Sequence, residues 1–151
     1  MPTVEALCRI LGSAEEIPAS GLASRYGTAR AAGTAIYYLL TPDTFSAMPR
    51  LASDEIFHFY LGDPVEMLHL HPDGSHRIIL IGPNLEAGQR PQVIVPRDVW
   101  QGARLSPGGR YALLGTAVAP GFDYADYETG QRPHLLARHP TATDLILALT
   151  R

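Results

Sequence analysis

Lysine is missing from this 151-residue chain, and all twelve of its basic residues are arginine. Schiff-base chemistry on a lysine amine and the lysine of a phosphate-binding P-loop are therefore excluded. Cysteine is nearly as scarce. Cys8 alone can make neither an intrachain disulfide nor a cysteine-based zinc cluster, and it reads as a small apolar residue on an opening helix. No apolar run approaches the roughly 20 residues that cross a bilayer. The start Met1-Pro2-Thr3-Val4-Glu5-Ala6 lacks the basic residues and apolar stretch of a secretory signal. These absences lead to the expectation of a soluble, cytoplasmic protein with no membrane partner. The net charge is −3 and the arginines are scattered, so no basic stripe is present to neutralise a phosphate backbone, and nucleic acid is not an expected partner. No internal repeat, low-complexity tract or linker interrupts the chain, and residues 1–151 read as one domain.

What is present is a series of strands. Val4, Ala6, Leu7, Ile10 and Leu11 at helical spacing predict a short opening helix closed by Gly12. Residues 13–33, rich in Ala, Gly and Ser, read as a loop. Strands are then predicted over residues 34–40, 45–50, 55–60, 65–71, 76–81, 92–95, 99–105 and 110–118. Breaks fall at Gly62-Asp63-Pro64, Pro72-Asp73-Gly74, Gly82-Pro83-Asn84, Pro96 and Pro107-Gly108-Gly109, a regular punctuation that favours an antiparallel sandwich or barrel over βαβ units. Two short helices, over residues 135–138 and 144–149, are predicted on either side of Pro140, with Thr141 or Thr143 as a cap.

The most informative stretch runs from Asp54 to Pro64, Asp-Glu-Ile-Phe-His-Phe-Tyr-Leu-Gly-Asp-Pro. It resembles the D-E-x-W-H-F-x-x-G-D-P core of a family of small cupins, with Phe57 in the Trp place. Thr34 to Leu40 resembles that family's T-A-I-Y-F-L-L strand, and further matching blocks are Gly88 to Pro96 with Trp100-Gln101, and Val118 to Phe122. The resemblance implies an all-β double-stranded β-helix, the cupin jelly roll, with short peripheral N- and C-terminal helices. It also implies a homodimer.

The departures from the family bear on chemistry. Cupins surround a divalent metal with histidines and a glutamate from two signatures, and imidazole and carboxylate donors suit such metals. Glu55 is retained here, but Pro49-Arg50 stands where His-Arg is usual. The second signature, P-x-G-x-x-H, reads Pro96-Arg97-Asp98-Val99-Trp100-Gln101, with glutamine in the histidine place. One carboxylate and one amide make a poor transition-metal site, so no metal and no other cofactor is expected. Near the N-terminus, an H-P-E-G-G-Y-Y-R-E-T-like segment of the family is replaced by Ile17 to Tyr26, smaller and less polar.

His58 titrates in the range useful for acid–base work, yet strand alternation sets it on the face opposite Glu55, Phe57 and Phe59. His69, His71 and His76 flank the Pro72-Asp73-Gly74 turn. Pairing His71 with Ser75 and His69 with Arg77 would keep them from converging, so they are expected on a solvated hairpin. The leading expectation is a small-molecule-binding cupin, acting without metal as an isomerase, epimerase or cyclase. In this reading Glu55 is base or anchor, Tyr37 the proton donor, His58 a further acid–base candidate and Gln101 an amide clamp. Pro49, Phe57, Phe59 and Trp100 line the ligand. A non-catalytic binding module and a metal-dependent oxygenase or lyase are the alternatives.

Overall fold

The structure is a computed structural model that describes the backbone of residues 15–17 and all of residues 30–151. Eleven strands form along the described residues: β1 (Glu15–Ile17), β2 (Gly33–Leu40), β3 (Phe45–Ser46), β4 (Pro49–Leu51), β5 (Glu55–Gly62), β6 (Val65–Leu70), β7 (His76–Ile81), β8 (Gln92–Val95), β9 (Trp100–Leu105), β10 (Ala112–Val118) and β11 (Tyr127–Thr129). Two short helices follow, α1 (Arg132–Arg138) and α2 (Thr143–Ala148). The strands build a five-stranded sheet in the order β1-β2-β10-β5-β8 and a four-stranded sheet in the order β3-β9-β6-β7, with β4 and β11 forming a separate ribbon. Every strand pairing within these sheets is antiparallel. The antiparallel arrangement favoured by the strand punctuation and the all-β jelly roll implied by the resemblance are the architecture observed. The opening helix lies outside the described residues.

Two apolar layers hold this arrangement together. Between the sheets, Leu40, Phe57, Val65, Met67, Ile79 and Val93 belong to the main core. Behind the four-stranded sheet, Met48, Leu68, Leu70, Leu135, Ile146 and Leu149 form a second core beneath α1 and α2. Strand β6 is thus sandwiched, with Val65, Met67 and His69 toward the barrel and Leu68 and Leu70 toward the helices. Burial of both faces is what an apolar strand with no solvent side requires. Its hairpin with β7 has the register expected from the Pro-Asp-Gly turn: His69 lies opposite Arg77, His71 bonds Ser75 through the backbone, and Gly74 takes a φ of 90°.

The residues of the Asp54-to-Pro64 stretch divide into structural and chemical roles. Gly62 has a φ of 106°, and a Cβ there would lie 2.3 Å from the Tyr111 carbonyl oxygen. Only glycine suits that conformation and that approach. Asp63 accepts a hydrogen bond from the Arg110 amide and Asp54 one from the Arg97 amide, each at 2.7 Å. Both carboxylates therefore pin loops to the ends of β5.

Several boundaries differ from the sequence reading. The predicted strand over residues 45–50 is two strands, because Met48 adopts a φ of 49° and breaks the extended run. The region read as a loop over residues 13–33 contains β1, which extends the sheet edge along β2. Neither Thr141 nor Thr143 caps α2: Ala142 holds that position, while the Thr143 hydroxyl donates to the Pro140 carbonyl. The helices nevertheless seat closely because β9 carries Gly102, where a Cβ would meet Met48 Sδ at 2.4 Å and the Leu149 side chain at 3.0 Å. Gly102→Ala is therefore expected to lower unfolding free energy by about 1–3 kcal/mol through overpacking. Urea denaturation measures this, and an unchanged midpoint would show that α2 yields freely.

Candidate active site

Glu55 begins β5 on the same face as Phe57, so its side chain enters the mouth of the barrel. There it accepts hydrogen bonds from the Thr116 hydroxyl on β10 and from Gln101 Nε2 on β9, the latter at 3.5 Å. Burial pushes its pKa up to about 7, and these two bonds offset the rise only in part. Among the described residues no arginine contributes to the shift, and a carboxylate buried without a cationic partner is the case that most favours the protonated form.

The network continues inward. Ser46 Oγ donates to Gln101 Oε1 at 3.5 Å, and Ser46 also hydrogen-bonds the phenol of Tyr38. Burial raises the Tyr38 pKa, so the phenol stays protonated, and its ring meets Phe57 edge-on with centroids 6.0 Å apart. His69 is the cross-strand partner of Gln101. It is only 2% exposed, with Nε2 placed 3.2 Å from Met67 Sδ. Burial, with His71 and Arg77 nearby, lowers its pKa to about 4. Polar groups from six strands thus meet in an otherwise apolar barrel, which is the setting in which perturbed acid–base groups do chemistry.

Glu55, Gln101 and Pro49 face one small cleft, closed by Arg50, Leu51, Ser53 and Val99 and about 10 Å³ in volume. That is room for about one water. The remaining sequence-predicted residues lie elsewhere. Tyr37 is 46% exposed on the outer face, where it packs against Tyr60. The inward tyrosine is Tyr38, since it shares a face with Leu40 and pairs with Leu114. His58 pairs with Gly115 and Gln92 on the outer face, as alternation implied. Phe57 and Phe59 belong to the main core and do not line the cleft.

Trp100 and Gln101 cannot share a cavity, because consecutive strand residues point to opposite faces. Gln101 enters the barrel, while Trp100 packs against the second core. His69 corrects the expectation of a solvated hairpin. The available signal was the alternation of Val65, Met67 and His69 against Leu68 and Leu70, two apolar faces that leave a histidine between them no route to solvent.

The cupin fold raises the question of a metal, and the donors present do not fit one. Pro49 contributes no donor, Gln101 contributes an amide, and among the described residues no group of three or more His, Cys, Asp or Glu side chains could hold a metal ion. Asp98, in the glycine place of the second signature, has a φ of 65°, so the backbone bend of that motif persists although its histidine is absent.

Comparison with known proteins places the chain among relatives. A family model described as Cupin superfamily (DUF985) matches residues 7–130. The chain is similar to protein YML079W of Saccharomyces cerevisiae, at 30% identity over 97 residues covering 62% of this chain and 48% of that protein. It therefore spans about half the length of the curated relative it matches. Among solved structures, protein SO0799 from Shewanella oneidensis superposes with a TM-score of 0.88 at 25% identity, covering 100% of this chain and 99% of the other. A dTDP sugar isomerase from Desulfovibrio desulfuricans shares the fold, with a TM-score of 0.56 at 17% identity over 80% of this chain and 82% of its own.

Proposed function

This chain belongs to the DUF985 family of the cupin superfamily, and on that premise we propose that it is a metal-independent isomerase. Its substrate is a small hydroxycarbonyl compound, and Glu55 moves the proton. The observation that carries this reading is a carboxylate held at the barrel mouth by Thr116 and Gln101, in no ion pair among the described residues and facing a small cleft. A base of this kind titrates near the operating pH, where general-base catalysis is most effective.

The residues have separate tasks. Glu55, as carboxylate, removes a proton from the carbon beside the carbonyl, and the electron pair moves onto the carbonyl oxygen to give an enediolate. The N–H of Gln101 stabilises the developing oxyanion. The substrate's hydroxyl proton passes between the two oxygens of the enediolate, and Glu55 returns its own proton to the former carbonyl carbon, so that the other oxygen becomes the new carbonyl. Tyr38 and Ser46 position Gln101 through the hydrogen bonds behind it. Among the described residues lining the cleft, Glu55 is the group that can exchange a proton near neutral pH, and a lone base returns the proton to the face it left. A 1,2-shift therefore suits this site better than inversion at a carbon. The dTDP sugar isomerase is a fold-level precedent only.

Proton NMR in D₂O with a panel of small aldoses, ketoses and their phosphates tests the reading. Deuterium is expected at the carbon beside the carbonyl, at a rate rising with pH through about 7. Glu55→Gln is expected to slow this about 10²–10⁴-fold with the fold retained. Equal rates in the two proteins would remove Glu55 from the mechanism. Saturable binding without any exchange would favour the non-catalytic binding module, a reading consistent with the tightness of the cleft.

A further inference from the structure

A second and larger cleft, about 130 Å³, lies on the Trp100 side of β9 and shares Arg50 with the cleft at Glu55. Its walls come from four parts of the fold. Arg50 is on β4, His71 and Pro72 are at the hairpin turn, Asp98 and Trp100 are on the approach to β9, and His134, Leu135, Arg138 and His139 are on and just after α1. Two guanidinium groups and three imidazoles stand there beside one carboxylate, Asp98, and Arg50 is also ion-paired with Glu128, which does not line the cleft.

The donors are fixed in place yet not used up. The Arg50 guanidinium sits over the Trp100 ring, its Cζ 4.4 Å from the centroid, and one Nη donates to Glu128 at 2.8 Å. Its Nε is buried and has no hydrogen-bond partner among the described residues. A buried donor left unsatisfied carries a penalty that a bound acceptor would relieve. Arg138 is anchored by one Nη to the Pro72 carbonyl at 3.0 Å, which holds the side chain across the hairpin and leaves its other N–H groups available. His139 Nδ1 sits 3.1 Å from the Gly74 carbonyl oxygen, so it donates there and fixes the ring. The group of imidazoles is not a metal centre, since no three metal-ligating side chains converge among the described residues.

We propose that this cleft binds a small oxyanion of the phosphate class, held by Arg50 and Arg138 with His71 and His134 at its rim. Planar guanidinium forks match the oxygens of such an anion and bind it more strongly than a neutral site would. Asp98, on the same wall, would repel a bare anion but accept a hydrogen bond from a hydroxyl. The arrangement therefore favours a phosphate monoester carrying a hydroxyl-bearing group over a fully ionised inorganic anion.

Two-dimensional NMR of the imidazole and indole groups, at constant ionic strength, gives the test. Inorganic phosphate and glycerol 3-phosphate are the probes. Saturable shifts are expected at His71, His134 and the Trp100 indole N–H, with the ester binding more tightly. The exposed variant Arg138→Gln is expected to weaken binding about tenfold, the effect of losing one charge-assisted hydrogen bond. The His69 resonance, inside the barrel, should stay unchanged and report that the variant is folded. Equal affinity for the two probes would support an inorganic anion site. Absence of saturable shifts with either probe, or unaltered affinity in folded Arg138→Gln, would overturn the proposal.

Discussion

Glu55→Gln is expected to stabilise the protein at pH 8 by about 3 kcal/mol while leaving its stability near pH 4 almost unchanged. The cause is the difference between a carboxyl that titrates near 4.5 in the unfolded chain and one pushed up to about 7 in the fold. Between those values the folded chain holds the proton that the unfolded chain has released, so stability falls as pH rises, and the loss is complete above about 7. Glutamine keeps the shape and can still hydrogen-bond Thr116 and Gln101, but it carries no charge to desolvate. Urea denaturation of both proteins across pH 4 to 8 measures the difference. A gap that does not change with pH would mean that Glu55 ionises as freely in the fold as in water, and the acid–base role would lose its basis. A stabilising substitution that removes activity is the expected signature of a group kept for chemistry rather than for folding.

His69→Ala is expected to destabilise by about 2–4 kcal/mol at neutral pH, because it empties a volume in a closely packed strand that faces apolar groups on both sides. The same change at His71, at the hairpin end, is expected to fall within about 0.5 kcal/mol. The pH dependence has the opposite sign to that of Glu55. His69 titrates near 6.5 when unfolded and near 4 in the fold, so it contributes stability that is present above 6.5 and lost as pH falls toward 4. The gap between wild type and His69→Ala should therefore narrow by about 2 kcal/mol between pH 8 and pH 5. An equal loss at both pH values would show that the imidazole takes up its proton as readily inside the barrel as in the unfolded chain. Because the two slopes oppose each other between about pH 4.5 and 6.5, the wild-type profile hides both, and only the single variants separate them.

The family pattern around Asp54 to Pro64 was legible because its parts act over short distances. Gly62 serves a positive φ, Asp54 and Asp63 hold adjacent loops, and Glu55 follows from alternation with Phe57. The cleft was legible only in part. Pro49, Glu55 and Gln101 do come together, whereas Trp100 and Tyr37 do not, and each of those two misplacements is a shift of one residue along a strand. In a strand such a shift exchanges the barrel for the opposite face.

Most strand positions, the turns and the antiparallel all-β class were determined by the sequence itself, since apolar alternation and the Gly, Pro and Asp breaks are local properties of the chain, and the family motifs narrowed that class to the jelly roll. So was the replacement of metal-ligand positions by Pro49 and Gln101. The tertiary structure decided which of two adjacent tyrosines entered the barrel, because that depends on how β2 pairs with β10. It also decided that His69 is buried, since one face of β6 is closed by the opposite sheet and the other by helices more than sixty residues later in the chain. The opposed pKa shifts of Glu55 and His69 arise from that same enclosure: desolvation acts on a charge only once distant segments have displaced the water around it.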